Sequence, residues 1–276
     1  MDGKIEKTSM NERRCAVSQA CDGGEPKLTI RIIGRCGFRC PDCSAFSGPE
    51  RPGLLSISHF KQIIRLLVKH DFHGVLNISG GETTFHPQLL KIVSLASRHL
   101  PRARIVVFTN GEWVGRQRWR LLLKGLLKYP NVLVRFSLDK EHAEGKARAV
   151  SGSAGADRVA KIEKERLEKA RLFLAACRKV GVKPGLNYDF AFKGTISEGQ
   201  AYMASLGDVP IYPLFFQRNP ANRPKQMGFL AVDLDRQGRP LVFLTLGHLS
   251  REEPMGGLDQ LPLALAQNRE ALKGLA

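Results

Sequence analysis

Between Lys27 and Phe216 the sequence alternates short β-branched apolar runs with longer segments whose apolar residues recur every three to four positions. Period-two and period-3.6 patterns that take turns in this way predict strand–helix units. The runs Leu28-Thr29-Ile30-Arg31-Ile32-Ile33, 74–79, 103–109, 132–138, 182–190 and 211–216 read as six strands. A helix led by Ser56 as N-cap carries Ile57, Phe60, Ile63, Ile64, Leu67 and Val68 on one face. Further helices are expected at 86–99, with Pro87 in the first turn, across Trp113, Trp119, Leu122, Leu123 and Leu126, at 157–180, and at 196–206. Such alternation predicts a parallel sheet with right-handed crossovers. The stretch 140–157, rich in Gly, Ser and Ala, reads as a long loop: a lid over a site or a surface insertion.

The ends differ in character. Residues 1–26 are polar, close on Gly23-Gly24-Glu25-Pro26, and read as an N-terminal extension. They hold Cys15 and Cys21, a redox pair, ligands of a second cluster, a hydrogen-atom donor or incidental thiols. Residues 217–276 read as a C-terminal extension: a basic linker, a β-hairpin of Gly228–Asp233 and Pro240–Thr245, and a helix at about 258–273. Residues 27–216 form the strand–helix domain between them. The sequence shows no secretory h-region and no run near the ~20 apolar residues that span a bilayer. A cytoplasmic protein with reduced thiols is expected. With 43 Lys and Arg against 26 Asp and Glu, the net charge of +17 favours anionic partners, nucleic acid among them, or reflects basic residues on solvated faces.

The first strand runs into Cys36-Gly37-Phe38-Arg39-Cys40-Pro41-Asp42-Cys43. Thiolates are soft ligands that select iron–sulfur clusters, zinc or copper(I). Three of them leave one corner of a four-iron cube without a protein ligand. A structural zinc ion needs a fourth ligand, which His59, Cys15 or Cys21 would have to supply.

The C-x3-C-x2-C spacing, followed by Ser79-Gly80-Gly81-Glu82 after an apolar run, resembles the signature of the radical S-adenosylmethionine (SAM) enzymes. Thr109-Asn110-Gly111 and Ser137-Leu138-Asp139 resemble that family's third- and fourth-strand ends. The resemblance covers residues 27–216 and implies an α/β fold, a partial (β/α)6 barrel open at one side. It implies that Cys36, Cys40 and Cys43 hold a [4Fe-4S] cluster whose fourth iron takes SAM. Gly80, Gly81 and Glu82 would lie against the SAM amino group. Thr109, Asn110, Ser137 and Asn187 would contact its ribose or carboxylate. Where many relatives carry an aromatic before the third cysteine this chain has Asp42, and Phe38 is the nearest aromatic; both are expected beside the adenine. The cysteine-free hairpin and helix resemble the C-terminal extension of peptide-modifying members.

The activity so implied is reductive cleavage of SAM to a 5′-deoxyadenosyl radical that takes hydrogen from a substrate. The substrate is expected to be a peptide or small metabolite in a biosynthetic pathway, with flavodoxin or ferredoxin as electron donor. The charge keeps a tRNA- or nucleic-acid-modifying enzyme open, and a non-enzymatic cysteine-ligated metal module is the third reading. Asp139 and His142 are candidates for moving a proton. Cys177 is a candidate hydrogen donor or a buried core thiol.

Overall fold

The computed structural model describes residues 26–41, 43, 45–182, 188–194, 211–216, 228–234, 239–246 and 255–273. Six strands lie parallel: β1 (Lys27–Ile33), β2 (Val75–Gly80), β3 (Arg104–Thr109), β4 (Val132–Ser137), β5 (Tyr188–Gly194) and β6 (Ile211–Phe216). The hairpin is β7 (Gly228–Leu234) and β8 (Pro240–Leu246). It extends the same sheet: β7 pairs parallel with β1, and the order is β6-β5-β4-β3-β2-β1-β7-β8. Pro213 is tolerated in β6 because that strand is an edge.

Strand alternation divides the sheet into two unlike faces. Leu28, Ile30, Ile32, Leu76, Ile78, Ile105, Val107, Val132, Val134 and Phe136 point to the helices and are buried. Their neighbours Thr29, Arg31, Asn77, Phe108 and Arg135 point the other way. There Asn77 Nδ2 donates to Thr29 Oγ1 at 3.2 Å, and the Arg135 guanidinium lies 5.4 Å from the Phe108 ring centroid. Arg31 pairs with Asp233 of β7, which ties the hairpin to the first strand on this polar face.

The helices pack where their apolar stripes dictate. α1 (Ile57–Lys69) is capped by Ser56, which accepts from His59 N at 3.2 Å, and buries Phe60, Ile63, Ile64 and Leu67. α2 (Leu89–His99) begins later than the sequence pattern suggests, because Thr83–Phe85 form a short 3-10 turn ahead of Pro87. α3 (Trp119–Leu126) also starts late. Gly111, Gly115 and Arg118 have φ of 76°, 87° and 60°, and no helix runs through them. Trp113 therefore sits in the turn, edge-on to Trp119 at 6.2 Å.

The expected loop at 140–157 is instead helical: α4 (Lys140–Ser151) leads through a short turn into α5 (Ala156–Val180). Asp139 caps α4 by accepting from His142 N, and Gly152 at φ 73° ends it. Its buried stripe is Ala143 and Ala147, packed on Val159 and Ile162 of α5. A stripe of alanines carries little hydrophobic signal in a sequence, which is why the segment reads as loop. β5 runs on to Gly194, past the expected end at 190. α6 (Leu261–Lys273) follows a 3-10 turn, and Leu261, Ala264 and Leu265 are buried. The helix expected at 196–206 lies outside the described residues, as do Cys15, Cys21, Asp42 and Asn187.

Candidate active site

The three cysteines sit in a loop that leaves β1 and folds back on it. Gly34 N donates to Gly53 O at 2.9 Å, Cys36 N to Gly48 O at 3.0 Å and Leu55 N to Ile32 O at 2.9 Å. The return leg fixes the loop without a regular element. Cys36, Cys40 and Cys43 are half-buried and unbridged. Two N–H donors point at sulfur: Ser47 N to Cys43 Sγ at 3.4 Å and Asn110 Nδ2 to Cys36 Sγ at 3.6 Å. Such donors stabilise thiolates bound to iron. Burial, aided by the neighbouring thiols, pushes the Cys36 thiol up to about 12 and Cys40 further still. Without a bound cation these groups are neutral thiols at neutral pH, and metal binding has to displace their protons.

The Gly-Gly-Glu segment builds the floor of the loop. Gly81 N donates to Ile33 O at 2.6 Å and Glu82 N to Arg35 O at 3.0 Å. Gly80 adopts φ 134°, and a Cβ there or at Gly81 would overlap the carbonyls of Ile33 and Arg35. The close approach that excludes side chains here is to the cysteine loop's own backbone. Glu82 is fully buried, and four donors take its carboxylate: Thr84 N, Thr84 Oγ1, Thr109 Oγ1 and Asn110 N, at 2.6–3.1 Å. Burial raises its pKa, and these hydrogen bonds oppose the rise. The side chain expected near an amino group thus ties the end of β2 to the end of β3. Thr109 likewise turns inward, accepting from Gly111 N at 3.0 Å and Trp113 Nε1 at 2.8 Å.

Three residues that sequence patterns leave unmarked complete the arrangement. Arg166 of α5, 3% exposed, donates to Asn110 O at 2.9 Å and Ser137 O at 2.5 Å. Its guanidinium lies 5.3 Å from the centroid of the buried Phe38 ring. One cation thereby joins the ends of β3 and β4 to the cysteine loop. Gly145 of α4 accepts from Arg39 N at 2.9 Å, and a Cβ on it would stand 2.5 Å from Cys40 Sγ. Glu112 presses its carboxylate against Gly37. Gly145 lies in the segment 140–157 that reads as loop, and Arg166 lies in the helix expected at 157–180, where a lone arginine gives no hydrophobic signal of burial.

Asp139, 2% exposed, holds His142 by its backbone N at 2.9 Å and by Nδ1 at 2.6 Å. Burial would raise the Asp139 carboxyl, but His142 and Arg166 outweigh it and hold it below its usual value. The His142 ring meets Phe38 edge-on at 6.3 Å. Cys177 is fully buried on the helix side of the sheet, in the core that includes Phe173 and Tyr188, and burial lifts its thiol to about 12. That position suits a packing role.

Among the described residues no three His, Cys, Asp or Glu side chains converge on a point that would hold a single metal ion. Cys36, Cys40 and Cys43 are soft thiol ligands, and N–H donors face the sulfurs of Cys36 and Cys43, a donor set of the kind iron–sulfur clusters take.

The sequence profile described as the Radical SAM superfamily matches residues 30–193, more than half of the chain. The chain belongs to this superfamily. It is similar to the antilisterial bacteriocin subtilosin biosynthesis protein AlbA of Bacillus subtilis (strain 168), 30% identical over 118 residues, 42% of this chain and 25% of that one. It is also similar to the GTP 3′,8-cyclase of Mycolicibacterium smegmatis (strain ATCC 700084 / mc(2)155), 27% identical over 160 residues, 57% of this chain and 40% of that one. The chain thus matches well under two thirds of these relatives' length. The crystal structure of BtrN in complex with AdoMet and 2-DOIA aligns over 90% of this chain and 87% of that one, with 16% identity and a TM-score of 0.49. Among the described residues no helix is long and apolar enough to cross a membrane.

Proposed function

We propose that the protein is a radical SAM enzyme in which Cys36, Cys40 and Cys43 hold a [4Fe-4S] cluster and SAM. The observation that carries this reading is a loop of three half-buried thiols closed by the strand ends at Gly81 and Asn110, with buried Arg166 joining Asn110 and Ser137 beside Phe38. When bound, the pair supplies reductive cleavage of the sulfonium and hydrogen abstraction from a substrate.

The protein's own residues position and enclose. Asn110 and the Ser47 amide donate to sulfur. Arg166 contributes positive charge beside the thiolates and a SAM carboxylate. The buried Phe38 ring keeps water from the reacting atoms. His142, oriented by Asp139, is placed to move a proton at its exposed side. The substrate is a peptide or small metabolite of a biosynthetic pathway. This is supported by relatives named for bacteriocin biosynthesis and GTP cyclisation, and by a polar sheet face that includes Arg31 and Arg135. The hairpin and α6 act as an extension that covers the β1 edge.

Anaerobic reconstitution tests the reading. About four iron and four sulfide per chain should bind, and dithionite with SAM should release 5′-deoxyadenosine. Cys36→Ala, Cys40→Ala and Cys43→Ala should each lose both. One zinc per chain with no 5′-deoxyadenosine would overturn the proposal.

A further inference from the structure

Several exposed cations stand together at and before the start of α3. Glu112 is the only acidic residue between Thr83 and Leu138, and Arg116 already pairs with it at 3.2 Å. Arg120 and Lys124 stand four residues apart on one face of α3, and Arg116 lies in the turn before it. Arg118 projects from the same turn. All four are exposed. Leu121, among them, is 65% exposed. Arg116 lies 5.9 Å from the Phe85 ring centroid and Arg120 5.1 Å from that of Trp119. Together with Gly115, Gln117 and Trp119 they line a surface hollow of about 300 Å³.

This face is joined to the cysteine loop by two short links. The Glu112 carboxylate that holds Arg116 also presses on Gly37, next to Cys36. The Glu112 amide donates to Asn110 Oδ1 at 2.9 Å, and Asn110 Nδ2 points at Cys36 Sγ. Arg116 is therefore separated from the first cysteine by one side chain.

We propose that the Arg116–Lys124 face is the docking surface for an acidic one-electron carrier protein that reduces the cluster held by the cysteine loop. The proposal rests on the function proposed above. In the step, the reduced carrier loses one electron, the cluster gains it, and the carrier leaves oxidised; no atom is transferred. Electron transfer slows steeply with distance, and Glu112 brings this face within one side chain of the cysteine loop. Redox encounters are small, under about 1,200 Å² of total area, and charge steers them. The face carries an exposed leucine and arginine-covered rings suited to a protein partner.

The test uses the full chain and an acidic flavodoxin as probe. The variant Arg118→Glu/Arg120→Glu/Lys124→Glu is compared with Lys61→Glu/Arg65→Glu/Lys69→Glu on α1, which changes net charge equally. Affinity is measured at low and high salt, on protein with and without reconstituted cluster. The α3 variant should bind at least about tenfold more weakly at low salt and lose most of its salt dependence, while the α1 variant binds nearly as wild type. Dithionite-driven 5′-deoxyadenosine release should be unchanged in both. If the α3 variant does not fold, Arg118→Gln/Arg120→Gln/Lys124→Gln is used with the same expectation.

Equal weakening by both variants overturns the proposal in favour of unspecific steering. Unchanged flavodoxin binding with loss of tRNA binding overturns it in favour of a nucleic-acid surface. A wild-type protein that releases no 5′-deoxyadenosine with dithionite overturns the functional reading and with it the role assigned to this face, whereas the variants' flavodoxin affinities test the surface itself.

Discussion

Gly145 shows how a single residue can be priced by its neighbours rather than its element. In a helix interior, Gly→Ala ordinarily stabilises by about 0.5–1 kcal/mol. Here the added methyl would lie 2.5 Å from Cys40 Sγ and 2.7 Å from Cys40 N, so the cysteine loop has to shift. Gly145→Ala should therefore retain its circular dichroism spectrum but bind less than half the wild-type iron after anaerobic reconstitution. His86 gives a second test at this scale. Its Nδ1 accepts from Gln88 N at 3.1 Å and its Nε2 faces Leu55 O at 3.0 Å, so the neutral ring fits with the proton on Nε2. Burial disfavours the charged ring and lowers its pKa below 6.5. The unfolded chain then takes up the proton at higher pH than the folded one. Stability from this group is complete above about pH 6.5 and is lost as pH falls through the lower folded value. Denaturant midpoints between pH 7 and 5 should fall more steeply for wild type than for His86→Gln.

Helix α4 is held by devices a pattern search undervalues. Two fully buried alanines and an aspartate cap replace the usual leucine stripe. Asp139→Ala should destabilise the protein by about 1 kcal/mol through loss of the cap, and amide exchange should rise first in α4. Unchanged exchange there would mean that packing on α5 alone holds the helix. By contrast, α1 was largely legible: its N-cap and its buried Phe60, Ile63, Ile64 and Leu67 follow from the spacing, while Val68, expected on the same face, is 48% exposed. The starts of α2 and α3 were not. A 3-10 turn stands before Pro87 and left-handed residues stand at Gly115 and Arg118, breaks that apolar periodicity does not mark.

For the whole molecule, the hairpin is the decisive addition. The sequence announces β7 and β8 but not their partner, and pairing of β7 with β1 joins chain segments about two hundred residues apart. The half-buried Arg31–Asp233 pair marks the join, with side chains 14% and 19% exposed. A double-mutant cycle of Arg31→Met and Asp233→Leu should give a coupling of about 1–2 kcal/mol, and each single variant should be less stable than the double. A coupling near zero would show that β-pairing alone secures the hairpin.

By itself the sequence determined the strand–helix rhythm, the parallel sheet and the thiol loop at the first strand end. Each of these is local: it depends on periodicity and on residues within one run. Only the tertiary structure decided that Glu82 and Thr109 turn inward to clasp two strand ends. It alone brought Arg166 and Gly145 from a later pair of helices onto the cysteine loop. Those choices depend on which buried charges and carbonyls meet across long separations in sequence, and no short-range pattern encodes such meetings.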